Sequence, residues 1–133
     1  MPPKAHAPSL EMIETLACEA RAALPAPWAA LAAQVPLRIE DFAPDDMLAE
    51  MGIEDPYELT GLYDGTPIPL KSFGEQVMQP DVIWLFRRPI LDEWVERGNV
   101  SLSEMVTHVL VHEFAHHFGW SDEDIAAIDP WWE

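Results

Sequence analysis

Residues 101–122 read SLSEMVTHVLVHEFAHHFGWSD, and the reading of this stretch decides how the rest of the chain is arranged. Ser101-Leu102-Ser103-Glu104 has the capping-box pattern: a serine hydroxyl accepts from the third helical N–H, and a glutamate reaches back to the serine's own N–H. Leu102, Met105, Val106, Val109, Leu110 and Phe114 then recur at helical spacing and supply a stripe that must be buried. Gly119 stands where a left-handed residue closes a helix. The spacing predicts one long helix from about 102 to about 118.

On that helix His112 and His116 lie one turn apart on the same face, with Cβ atoms roughly 5–6 Å apart. Two imidazoles so placed can hold one tetrahedral ion through ring nitrogens. Glu113 is turned about 100° from His112. It can flank the ion without binding it and take a proton from a water that the ion activates. The pattern is H-E-x-x-H, in which zinc lowers the pKa of water from about 15.7 to near 7. A third ligand is needed. Gly119 lets the chain turn, and Asp122, ten residues after His112, is the expected donor. Glu123, Asp124, Asp129 and Glu133 are alternative acids. Zn2+ is therefore the expected cofactor, with His112, His116 and Asp122 as metal ligands and Glu113 as catalytic base.

The chain before this helix alternates helical and extended segments. Residues 1–8, rich in proline and alanine, read as a loose arm, and 9–133 as a single domain. Ser9 caps an amphipathic helix over 10–24, stopped by Pro25 and Pro27. A short helix is expected at 28–34. Leu37 and Ile39 alternate with Arg38 and Glu40, which predicts a half-buried strand over 36–42. A short helix follows from Asp45, closed by Gly52. A strand is expected at 59–63, then a turn at Asp64-Gly65, an edge strand or extended loop around Pro67 and Pro69, and loop over 71–81. Val82-Ile83-Trp84-Leu85-Phe86 is the most apolar short run and reads as a strand buried on both faces, ended by Pro89. Residues 90–97 read as a helical turn or two, stopped by Gly98-Asn99, and 122–128 as a last short helix. The order predicts an α+β domain, a small mixed sheet packed against helices.

Composition narrows the partners. The chain has 133 residues, 49% of them hydrophobic, enough for one core. Its 24 acids against 7 bases give a net charge of -17, which repels phosphate backbones and anionic lipid, so neither nucleic acid nor a membrane surface is an expected partner. The lone cysteine, Cys18, permits no internal disulfide. No leader segment is visible, and no window approaches 18 uninterrupted apolar residues. The expected location is cytoplasmic.

HEFAHHFGWSD resembles the zincin metallopeptidases of the metzincin type, with their H-E-x-x-H-x-x-G-x-x-H/D signature. It is similar above all to the small bacterial zincin-like, or minimal metalloprotease-like, proteins. LTGLYDGTPIPL and PDVIWLFRRPI extend the resemblance over roughly residues 55–125. The resemblance implies a zincin-like α+β fold, a zinc ion and peptidase activity. It matches His112 and His116 to the histidine ligands, Glu113 to the base and Asp122 to the third ligand. Full metzincins carry a methionine turn and a lower subdomain after the motif. Here no methionine follows Met105, and eleven residues remain after Asp122.

The leading functional expectation is a zinc-dependent metallopeptidase, a hydrolase acting on a peptide or small protein. The alternative is a non-catalytic zinc scaffold that binds a peptide or partner. A metal-dependent ribonuclease with a similar H-x-x-x-H-x-x-G-x-x-H helix is disfavoured by Glu113, by Asp122 in place of histidine, and by the net charge of -17. Of the other candidates, His117 and His108 read chiefly as structural histidines and Trp120 as a core residue. Tyr57, Tyr63, Arg87 and Arg88 are open candidates for stabilising an oxyanion.

Overall fold

The computed structural model describes residues 7–65, 81–120 and 123. The first helix, α1 (Leu10–Ala22), begins where the Ser9 hydroxyl accepts from the Met12 N–H at 3.1 Å. Glu11 and Arg21 sit at the ends that suit the helix dipole. Ile13, Ala17 and Ala20 face the core. Arg21 also donates to the Val35 carbonyl at 2.8 Å, which ties the end of α1 to the start of the sheet. The second helix, α2 (Trp28–Ala32), is shorter than the sequence predicts.

Among the described residues three strands follow: β1 (Leu37–Glu40), β2 (Gly61–Asp64) and β3 (Val82–Phe86), in the spatial order β1-β3-β2. β1 runs parallel to β3, with Leu37 opposite Ile83. β2 runs antiparallel, with Tyr63 opposite Ile83 and Asp64 opposite Val82. The most apolar strand takes the centre because only there are both edges paired. Its two faces are unequal, contrary to the sequence expectation. Ile83 and Leu85 are fully buried in the main core with residues of α1. Trp84, on the other face, is half-buried, and the Arg38 guanidinium covers its ring at 4.6 Å. That face carries a smaller cluster of Ala43, Leu48, Leu59 and Phe86, roofed in part by α3 (Asp45–Met51). Before β2 the chain makes a 3-10 turn over Pro56–Glu58, capped by the Asp55 carboxylate, so β2 begins two residues later than expected.

Helix α4 (Arg87–Arg97) starts directly after β3. Pro89 therefore does not stop the strand. It sits in the first turn of α4, where a missing N–H costs nothing because those donors have no helical partner. Gly98, at φ 73°, closes the helix.

The organising helix, α5, spans Leu102–Phe118. Its capping box forms as the sequence predicts: the Glu104 N–H donates to Ser101 Oγ at 3.0 Å, and the Ser101 N–H to Glu104 Oε1 at 3.4 Å. Gly119, at φ 71°, ends it. Met105, Val106, Leu110 and Phe114 have no exposed surface. Each large apolar side chain of this stripe removed from water contributes about 1.5–3 kcal/mol to the core. α5 packs against α1, β2, β3 and α4. Its last turn is held by rings, with Trp28 4.9 Å from Phe118 and 5.3 Å from Trp120, so Trp120 packs into the core.

The architecture is α+β, a small mixed sheet against helices. Among the described residues no helix is long and apolar enough to cross a membrane. The expected segment around Pro67 and Pro69, that at 122–128 apart from Glu123, and most of the N-terminal arm lie outside the described residues.

Candidate active site

α5 carries His112 and His116 on one face, their ring centroids 5.2 Å apart and their planes tilted by 66°. A zinc ion shared by the two would take one ring nitrogen from each, at roughly 2.0–2.1 Å. The two differ in setting: His112 is half-buried, while the His116 side chain is 58% exposed. Burial, and then the neighbouring His116 and His108, lower the His112 pKa below the ordinary histidine value. At neutral pH that favours the neutral imidazole, the form that binds metals.

Glu113 lies between these rings and the sheet. Its side chain is 8% exposed, with Oε1 3.6 Å from His116 Nδ1. Burial pushes its pKa from 4.5 up to about 7, and one hydrogen bond, donated by the main-chain N–H of Tyr63, acts against that rise. A carboxyl that titrates near neutrality can both accept and return a proton. A cation held by the two imidazoles would favour its ionised form.

The wall facing Glu113 is β2, and its close approach depends on Gly61. A Cβ there would meet Val109 Cγ1 at 2.8 Å, the Trp84 carbonyl at 3.1 Å and Glu113 Cγ at 3.3 Å. Gly61→Ala is expected to destabilise the fold by about 1–3 kcal/mol, the usual cost of overpacking, and to push β2 away from Glu113. Urea denaturation, with amide spectra of β2, measures both effects. Alongside, a groove of about 250 Å³ is lined by Thr60, Glu93, Arg97, His108, Val109, His112 and Glu113. Arg97 and Glu93 form an ion pair across one helical turn at its rim, at 3.2 Å.

The remaining candidates separate. Tyr57 packs edge-on to Phe42, and Arg87 pairs with Asp41 at 2.6 Å. With Arg88 they line a different groove, so the fold does not bring these three to His112 and Glu113. Tyr63 does reach the site, through its main chain. Its phenol instead donates to Asp81 Oδ1 at 3.1 Å. Burial, then Asp81, raise its pKa, so it stays protonated. His108, 8% exposed, lines the groove. His117, 4% exposed, lies against Tyr63 and Phe118. Asp122, Asp124, Asp129 and Glu133 lie outside the described residues, while Glu123 is described and exposed. Among the described residues no three His, Cys, Asp or Glu side chains gather around one point as a complete metal site. The two imidazoles are nitrogen donors of the kind that suit zinc, and the buried Glu113 carboxyl lies beside them without counting as a ligand.

The sequence profile of a family described as Zincin-like metallopeptidase matches residues 32–132. The chain belongs to that family. The zincin-like match begins at the end of α2, takes in every strand together with α4 and α5, and continues past Asp122. It leaves out α1, which nevertheless packs against α5. Zinc and peptide-bond hydrolysis are the metal and the reaction class that membership in this family points to. A comparison with curated proteins finds no significant match.

Proposed function

We propose that this zincin-like protein is a zinc-dependent metallopeptidase whose ligands are His112, His116 and Asp122 and whose general base is Glu113, in a metzincin-type H-E-x-x-H-x-x-G-x-x-D arrangement. The observation that supports this best is the setting of Glu113. It is buried beside two imidazoles that share one helix face, and its carboxyl titrates near neutrality.

A bound zinc supplies a Lewis acid that makes water acidic near neutral pH and polarises a peptide carbonyl. The protein's own groups do the rest. Glu113 takes the proton from the attacking water as the new carbon–oxygen bond forms. It returns that proton to the leaving nitrogen as the carbon–nitrogen bond breaks. The Tyr63 N–H holds the carboxylate in place. The groove beside His112 accommodates one side chain of a short or flexible peptide, with Arg97 and Glu93 at its rim.

Incubating zinc-loaded protein with a mixed peptide library, read by mass spectrometry, tests the reading. New termini are expected; a chelator abolishes them and added zinc restores them. No cleavage at high protein concentration, with stoichiometric zinc retained, would replace the peptidase with the non-catalytic, peptide-binding zinc scaffold.

A further inference from the structure

We infer that Tyr63, His117 and Asp81 form a positioning device for Glu113, in which α5 grips one residue of β2 at two points and so sets where the carboxylate is held. The inference rests on the peptidase reading and names residues that act through the base without touching substrate.

The geometry starts from the sheet. The Phe86 N–H donates to the Thr60 carbonyl at 2.9 Å, and Leu62 and Asp64 stand opposite Trp84 and Val82. In an antiparallel pair the main-chain groups alternate in direction. Those of Leu62 and Asp64 therefore face β3, and those of Gly61 and Tyr63 turn the other way. That is the side on which the Tyr63 N–H meets Glu113. A slip of one residue along β2 would turn this N–H away from Glu113 and present a different one.

β2 has four residues, so its register needs a further constraint. The Tyr63 side chain provides it. Its hydroxyl donates to Asp81 Oδ1 at 3.1 Å and lies 3.2 Å from His117 Nδ1, which is itself 3.3 Å from Asp81 Oδ2. The triangle is buried, with the His117 side chain 6% exposed and that of Asp81 9%. The Tyr63 and His117 rings meet edge to face at 5.2 Å. Asp81 is further confined by Gly65, whose missing Cβ would occupy the place of the Asp81 carboxylate. His117 and Glu113 are four residues apart on α5 and so share a face. One holds the side chain of Tyr63 and the other its main-chain N–H. Apolar residues would seal this contact equally well. What a polar triangle adds is direction, because buried polar groups are costly unless each bond is made.

Tyr63→Phe removes the hydroxyl and keeps both the ring and the main-chain N–H. The first readout is amide exchange in the metal-free protein. Protection at position 63 is expected to fall about tenfold or more, while the amides of central α5 keep theirs. Glu113→Ala, which leaves the hydroxyl in place, should expose the same amide. The second readout is turnover: kcat is expected to fall about tenfold, with KM within about twofold and zinc stoichiometry intact. Asp81→Asn should shift both readouts in the same direction, and it decides the matter if Tyr63→Phe does not fold. Unchanged exchange at position 63 overturns the inference, as does a fall in melting temperature with kcat unmoved, since both describe packing alone. If the wild-type protein cleaves no peptide, the peptidase reading fails, and the exchange readout still judges the grip on its own.

Discussion

Glu113→Gln is expected to keep zinc at one ion per chain and to lower peptide hydrolysis by about 10²–10⁴-fold, the usual contribution of a general base. Glutamine preserves the shape of the side chain and can still accept from the Tyr63 N–H, but it cannot take up a proton. The same substitution has a second consequence in the metal-free protein. The Glu113 carboxyl holds its proton up to about 7 when folded and releases it at 4.5 in its ordinary state. Between those values the folded protein binds the extra proton, so stability is lost as pH rises and the loss is complete above about 7. At about 1.4 kcal/mol per pKa unit this amounts to roughly 3 kcal/mol. His112 works in the opposite sense. Its pKa is lowered, so its contribution is present above the ordinary histidine value and is lost as pH falls through its folded one. Comparing wild type with Glu113→Gln cancels that contribution and the general repulsion of the acidic surface. The stability of the variant relative to wild type should therefore climb by roughly 3 kcal/mol between pH 4.5 and 8. Urea denaturation in the presence of a chelator measures it. A flat difference would mean that the carboxyl is not strained by burial, and full activity in the zinc-loaded variant would remove Glu113 from the mechanism.

The parts of the molecule that were legible in the sequence are those governed by local chemistry. Helix α5 declares itself through Ser101 and Glu104 at one end, Gly119 at the other and an apolar stripe between, and it forms with those boundaries. The placing of His112, Glu113 and His116 on one helix end is legible for the same reason, since helical spacing alone decides it. β3 is legible as a strand, but its unequal burial is not. Which face receives α1 and α5 and which receives only α3 depends on packing between distant segments. Pro89 misleads because a proline that ends a strand and a proline in a first helical turn look alike until the path of the chain is known. At the site, the partner that the sequence could not reveal is the Tyr63 N–H. Every residue but proline has such a donor, so no residue type announces it. The one available sign was Gly61, because a glycine inside a strand often marks a close approach of another group. Tyr63 itself was legible only as a possible oxyanion donor, and the fold commits its phenol to Asp81 and His117.

His116→Ala provides the second decisive test, because the His116 side chain is 58% exposed and its loss leaves no core cavity. The variant should fold as stably as the metal-free wild type, yet bind zinc more weakly by well over the roughly 10–100-fold that partners outside the ligand set contribute. Wild-type protein with free zinc at about 100 times its dissociation constant should gain about 2.7 kcal/mol, and the variant at the same concentration almost nothing. His112→Ala should lose zinc as well, with some loss of stability because that ring is half-buried. The third ligand follows from the same assay applied to the acids beyond Gly119. Asp122→Asn should weaken zinc binding sharply, while Glu123→Gln, Asp124→Asn, Asp129→Asn and Glu133→Gln leave it nearly unchanged. A large loss at one of those four, with none at Asp122, moves the third ligand there and keeps the mechanism. Stoichiometric zinc in His116→Ala does not, because the ion would then lie away from Glu113, and a buried carboxyl with no activated water beside it has no proton to take.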